Sequence, residues 1–178
     1  RVRSTVINLG DGVAATRGTG VRVDGGVVAH VYNTVVFNAA DVAQGVGVRL
    51  DALSSRVINN TFVLRATDQA RGVVLNSANA DLVNNLFFIS APDGVGMEEA
   101  ADPSRPGRVV ANAFSPGMSA LYLDFADAEY ADLDALASLE GVGAIEGNLV
   151  APPGFAGPAT YTLAADSACV DQGVDTSE

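Results

Sequence analysis

The sequence has no lysine and no tryptophan, and only one cysteine and one histidine. Without lysine there is no amine for a Schiff base and no lysine general base. A single cysteine, Cys169, rules out an internal disulfide and a cysteine-rich metal cage, and reads as a small buried apolar residue. Disulfides are common but not obligatory outside the cell, so this count leaves the redox compartment open. No apolar run reaches the length of a membrane span, and the opening RVRSTVINLGDG lacks the apolar stretch of a signal peptide. Positive charge is scarce as well: 10 basic residues, all arginine, face 21 acidic ones, for a net charge of −11. Binding to nucleic acid or an anionic membrane needs a concentrated basic surface, and this composition argues against both.

What the sequence does contain is a repeat. Asn8, Asn33, Asn60, Asn85, Asn112 and Asn148 sit in the segments VINLG, VYNTVVF, VINNTFV, LVNNLFF, VVANAFS and AIEGNLV, at steps of 25, 27, 25, 27 and 36 residues. A second element, glycine followed by alternating apolar residues, begins at Gly20, Gly47 and Gly72, each 13 residues before its asparagine, with weaker copies at Gly96 and Ala120. Several short strands recurring in register at this period predict a single all-β domain, a parallel β-helix of about five coils of some 25 residues. Leucine-rich repeats have a similar period but need leucine at fixed short spacing, where these coils carry Val, Ile, Phe and Asn.

Within one coil the pattern predicts a strand at Gly47–Leu50, a turn at Asp51–Arg56, a strand at Val57–Asn59, a corner at Asn60, a strand at Thr61–Leu64 and a variable loop at Arg65–Arg71. Asparagine suits a corner because it tolerates left-handed backbone angles and its amide both donates and accepts. The six asparagines are therefore expected to form a structural ladder along the stack, while Val48, Leu50, Val73 and Leu75 face the core. The domain is expected to comprise stacked coils over residues 1–126, a short amphipathic covering helix over 127–139 with Tyr130, Leu133, Leu136 and Leu139 on one stripe, and a last coil with an irregular cap over 140–178. That cap argues against end-to-end stacking, so a monomer is expected.

These residues resemble secreted bacterial right-handed parallel β-helix proteins of the pectate-lyase-like superfamily, chiefly their carboxyl-terminal coils. The corner Val57-Ile-Asn-Asn-Thr-Phe62 resembles the family's Ile-x-Asn-Asn-Thr-Phe turn. The ending resembles the family's closing pattern through Asp132–Leu139, Gly147-Asn148, Pro152-Pro-Gly-Phe155, Tyr161-Thr-Leu163 and Ser167-Ala-Cys-Val-Asp171-Gln-Gly173. Ala168, Cys169 and Pro152 depart from it. The resemblance implies a secreted or cell-surface bacterial protein, with this chain forming part of a longer one. It confers no activity, because enzymes and non-enzymes share the ending.

In polysaccharide-active β-helices the outward residues of the first strand and the turn after it contact the sugar. The resemblance places Arg22, Arg49, Val74, Glu98 and Tyr122 in that outward column, and Asp24, Asp51, Asn76, Ala100 and Asp124 in the turn. Arg22, Arg49, Asp24, Asp51, Asn76, Tyr122 and Asp124 are the carbohydrate-binding candidates, and Asp24 and Asp51 are weak candidates for Ca²⁺ with oxygen ligands. No other cofactor is indicated. The bland alternative is a solvated face of paired Arg and Asp. No catalytic residue is assigned: the Asp-Asp, Asn-Thr-Asp and Gly-His-Gly patterns of polygalacturonase-like hydrolases are missing, and His30 in Val28-Ala-His-Val-Tyr32 reads as a surface strand residue. Gly10-Asp-Gly12 and Gly18-Thr-Gly20 read as turns. The expectation is a non-catalytic extracellular scaffold or polysaccharide-contacting module; the alternative is the carboxyl-terminal part of a polysaccharide lyase or glycoside hydrolase whose active site lies mostly upstream.

Overall fold

The computed structural model describes all residues except 10–16, 39–41, 77–78, 103, 158–159 and 177–178. Strands β1 (Val2–Arg3), β2 (Val6–Asn8) and β3 (Arg17–Val23) open the stack. They are followed by β4 (Val28–Tyr32), β5 (Val35–Phe37) and β6 (Val42–Leu50), and by β7 (Ser54–Ile58) and β8 (Thr61–Leu75). Above them lie β9 (Asn79–Val83), β10 (Leu86–Ser90) and β11 (Asp93–Glu99), then β12 (Arg105–Val110), β13 (Ala113–Phe114) and β14 (Ala120–Leu123). The chain finishes with β15 (Glu129–Tyr130), the helix α1 (Leu133–Ala137), β16 (Ala144–Glu146) and β17 (Leu149–Val150).

Strands from successive coils pair in parallel. The first sheet runs β1-β4-β7-β9-β12-β16, the second β2-β5-β8-β10-β13-β17, and the third β3-β6-β8-β11-β14. The result is an all-β parallel solenoid of about 4 turns. Strand β8 belongs to both the second and third sheets, because the stretch 65–71, expected as a loop, continues as strand. The same holds for Gly18-Thr-Gly20, which lies inside β3 rather than in a turn; Gly10-Asp-Gly12 falls outside the described residues.

The corner between the first and second sheets uses two residues, and the division corrects the expected ladder. The left-handed position is held by Ser4, Asn33, Asn59, Asn84, Ala111 and Gly147, with φ of 51°, 49°, 57°, 55°, 52° and 65°. From Asn33 onward the residue after each points inward: Thr34, then Asn60, Asn85, Asn112 and Asn148. The Asn112 Oδ1 accepts from the Asn85 backbone N–H and from Asn85 Nδ2, both at 3.0 Å, and the Asn85 Oδ1 does the same for Asn60 at 3.1 and 3.0 Å. Each Nδ2 also reaches a strand carbonyl, Val31, Val57, Leu82 or Val109. Asn33 is therefore the corner residue and not a rung, its rung position being Thr34, whose N–H donates to Asn60 Oδ1 at 3.0 Å. Asn8 lies in β2, paired with Phe37, off the ladder altogether. The asparagine pair in VINNTFV conceals this because either residue could supply the corner or the rung.

Inside, the alternate residues stack by type. Val48, Leu50, Val73 and Leu75 are fully buried. Phe62, Phe87 and Phe114 stack ring on ring, with centroids 5.1 and 5.2 Å apart and interplanar angles of 14° and 9°. The glycine column makes the room: a Cβ on Gly47, Gly72 or Gly96 would come within 3.0 Å of the Phe62, Phe87 or Phe114 ring and of the main chain one coil above. These glycines are required by close approach rather than by backbone angle.

The expected helix over 127–139 is only Leu133–Ala137. Asp124 Oδ1 accepts from the N–H groups of Ala126 and Ala128 at 2.9 and 2.8 Å, and Asp127 takes φ 61°, so the chain turns back and β15 pairs antiparallel with β14. The helix starts only at Asp132, whose side chain accepts from Ala135 N–H as an N-cap. The apolar stripe still packs on the core, with Leu136 and Leu139 buried and Tyr130 and Leu133 partly so.

Candidate functional site

The outer surface of the third sheet carries the residues the sequence singled out, and its register decides which of them share a face. Arg22, Arg49, Val74, Glu98 and Leu123 align. Tyr122 does not belong with them: it aligns with Val48, Val73 and Met97, pointing inward, and is fully buried. A one-residue slip in reading the last copy of the repeat, with Ala120 matched to Gly96 when Leu121 sits above it, moves a strand residue to the opposite face. Tyr122 instead donates its hydroxyl to Glu99, which is buried in the core column above Leu75 and lies 3.4 Å from Arg105. Burial and the Glu99 carboxylate push the Tyr122 phenol far above its ordinary value, so it remains a neutral donor.

A groove of about 530 Å³ runs over this face, lined among others by Arg17, Arg22, Arg49, Asp51, Gln69 and Asn76. Arg22 pairs with Asp24 at 2.6 Å, both side chains being largely exposed. The Asp24 hydrogen bond raises the guanidinium pKa further, so Arg22 stays charged at any ordinary pH. Arg49 Nη2 donates to Asn76 Oδ1 at 3.1 Å, and Asn76 Nδ2 donates to the Asp51 carboxylate. The candidates Arg22, Arg49, Asp24, Asp51 and Asn76 are thus brought onto one surface. Asp124 is not among them, since its carboxylate holds its own loop. Among the described residues no three His, Cys, Asp or Glu side chains gather where a metal ion could sit.

A second row on the same face escaped sequence reading because residues 65–71 were expected to be loop. Arg17, Gln44, Gln69 and Asp93 align across four coils, beside Thr19, Val46 and Arg71. Gln69 donates to Asp93 at 2.9 Å. Arg71 is the hub of the upper end. Its side chain is only 6% exposed, it grips Asp93 through two contacts at 3.0 and 2.8 Å, it reaches the Asp93 carbonyl at 2.8 Å, and its Nε donates to Glu98. The available signal is the polar-apolar-polar alternation Gln69-Ala70-Arg71, whose alanine is buried.

The Arg71 guanidinium holds the Asp93 carboxyl below the ordinary carboxylate range. A carboxylate with its folded pKa depressed adds stability that is complete above its unfolded value, about 3.9, and is lost as pH falls through the folded value. In a pH series of melting temperatures, Asp93→Asn is therefore expected to be destabilised relative to the parent at neutral pH. The gap should close below about pH 4, and a gap that widened there would contradict the pairing.

No family model, curated protein or solved structure matches the chain. The site must therefore be interpreted from its own chemistry. It offers guanidinium and amide donors with the carboxylates of Asp24, Asp51, Asp93 and Glu98 beside them, and among the described residues no aromatic ring lines the groove.

The remaining singular residues lie elsewhere. His30 is half-buried on β4 in register with Arg56, edge-on to Tyr32 at 5.4 Å; burial first, and then Arg56 and Arg1, lower its pKa, which keeps it neutral at pH 7. Cys169 is half-buried rather than enclosed, and burial pushes its thiol up, away from thiolate reactivity.

Proposed function

We propose that this chain is a non-catalytic extracellular β-helix module of a larger secreted protein of the pectate-lyase-like kind, and that it holds polysaccharide along the groove of the third sheet. The observation that carries the reading is the pair Arg22 and Arg49, aligned on two successive coils, with Arg17 on the same strand as Arg22 and the Gln69 and Asn76 amides on the coil above. Coils repeat about every 4.8 Å, so the donors form a line suited to an extended chain. With Tyr122 buried, recognition rests on guanidinium–carboxylate and amide–hydroxyl hydrogen bonds, which favours a uronic-acid polymer over a neutral glucan.

The non-catalytic part is supported by how the carboxylates are used. Asp24 serves Arg22, Asp51 takes the Asn76 amide, and Asp93 and Glu98 serve Arg71, so each is committed to a partner of the scaffold. Affinity electrophoresis or calorimetry with a uronic-acid oligomer is expected to give saturable binding, weakened about tenfold by Arg49→Ala, the loss of one charge-assisted hydrogen bond. Equal binding of a neutral glucan would remove the uronate preference. Release of unsaturated ends from the polymer, abolished by Arg49→Ala, would replace the module with a lyase.

A further inference from the structure

The outer face of the first sheet is dressed differently. On it, Tyr32, Ile58, Val83 and Val110 form one outward column, and yet Ile58, Val83 and Val110 are 8%, 2% and 1% exposed. Outward apolar residues on a solenoid sheet need a cover, and the chain's own last described residues supply part of it. Val174 exchanges both backbone hydrogen bonds with the Asn84 side chain, Asn84 Nδ2 donating to its carbonyl at 2.7 Å and its N–H donating to Asn84 Oδ1 at 2.9 Å. Val174, Asp175 and Thr176 then border a cavity of about 90 Å³ with Ile58, Val83, Arg56 and Arg108. The segment passes from Asn84 toward the coils of Asn59 and Asn33, with Thr176 reaching the rim of the next cavity.

That next cavity, about 250 Å³, repeats the features of the occupied one. Asn59 and Asn33 stand in the same left-handed column as Asn84. Tyr32 continues the apolar strip, and Arg3 and Arg56 flank it. Among the described residues the carboxylates of this face lie toward the upper coils: Asp81, 3.9 Å from Arg56, Glu146 in β16, and Asp175, which lines one cavity with Arg56 and Arg108. The lower end is thus locally basic in a chain of net charge −11. At physiological ionic strength charges beyond about 8 Å are largely screened, so the local arginines govern what docks there.

We propose that the Asn33–Asn59 stretch of this corner, with Tyr32, Arg3 and Arg56, is a docking site for an extended acidic peptide. Gly173–Thr176 show the pattern one coil above: the Asn84 amide pairs with the backbone of Val174, and Asp175 lines the same cavity as Arg56 and Arg108. An extended strand advances about 3.3 Å per residue, so a peptide of six residues spans both asparagines.

The test uses the full chain and fluorescence anisotropy with a labelled Asp-Thr-Asp-Thr-Asp-Thr peptide. Saturable binding is expected, weaker by about tenfold for the Asn-Thr counterpart and for Arg56→Ala, and unchanged for Arg65→Ala, which lies off this face. Arg56→Glu is expected to shift preference to an Arg-Thr peptide, which separates charge recognition from any folding defect. Absence of binding, equal affinity for the uncharged peptide, or indifference to Arg56→Ala and Arg56→Glu would each overturn the proposal. So would binding of a uronic-acid oligomer, but not the peptide, in an Arg56-dependent manner, which would assign the site to an anionic sugar.

Discussion

Asn85→Ala is expected to lower the unfolding free energy by about 4 kcal/mol. Asn85 is the central rung of the ladder. Its Oδ1 accepts from Asn60 N–H and Asn60 Nδ2, and its Nδ2 donates to Val57 O and Asn112 Oδ1, at distances from 2.8 to 3.1 Å. Alanine deletes all four bonds and leaves the buried Asn60 N–H without its partner. A buried donor left unpaired costs about 1–3 kcal/mol, and the two acceptors and the second donor each lose part of their satisfaction. Because coils support one another as nearest neighbours, the damage should spread by one coil in each direction. Denaturant unfolding followed by circular dichroism measures the loss, and hydrogen exchange should report faster opening around Asn60 and Asn112. A loss under about 1 kcal/mol would mean that the ladder is replaceable by water or by strand bonds alone.

Phe87→Ala should cost a comparable amount, about 4 kcal/mol. Phe87 is the middle ring of the stack, fully buried between Phe62 and Phe114. Removing it opens a cavity under two aromatic faces that no neighbour can fill, because Gly47, Gly72 and Gly96 carry no side chain to move in. The glycine column gives a sharper form of the test. Gly72→Ala drives a Cβ into the Phe87 ring and the Gly96 carbonyl and is expected to cost about 3 kcal/mol by overpacking. In the Phe87→Ala background the clash with the ring is gone and only the carbonyl contact remains. The double mutant should therefore be less damaged than the two single losses combined. Strict additivity in urea unfolding would show that the glycine is kept for the backbone and not for the ring.

How far these features could be read from sequence depends on the physics behind each. The glycine-apolar element and the asparagine recur because every coil must satisfy the same neighbours above and below. The repeated pattern thus carries the parallel stack and the inward faces of Val48, Leu50, Val73 and Leu75. Its register is weaker where the repeat decays. Ala120-Leu-Tyr-Leu could be placed in two ways one residue apart, and only pairing with Val95–Glu98 shows that Tyr122 points into the core. Asn8 and Asn33 resemble rungs in the sequence because an asparagine near a strand end has the same local pattern whether or not its amide faces inward. The helix is shorter than its apolar stripe because the stripe specifies which side of a segment is buried, whereas the Asp124 turn that precedes the antiparallel β15 depends on side-chain hydrogen bonds to nearby backbone.

By itself, then, the sequence determined the parallel β-helix, the core-facing residues, the arginine column at Arg22 and Arg49, and the chemistry closed off by a chain with no lysine. A local, repeated pattern suffices for these, since burial and strand alternation act residue by residue. Only the tertiary structure decided that Tyr122 is buried against Glu99, that Arg71 locks Asp93 and Glu98, and that Val174 binds Asn84 across an apolar strip on the first sheet. Those contacts join residues 22 to 90 positions apart, and nothing in the sequence near either partner specifies the other. Coil register and the path of the closing segment bring them together.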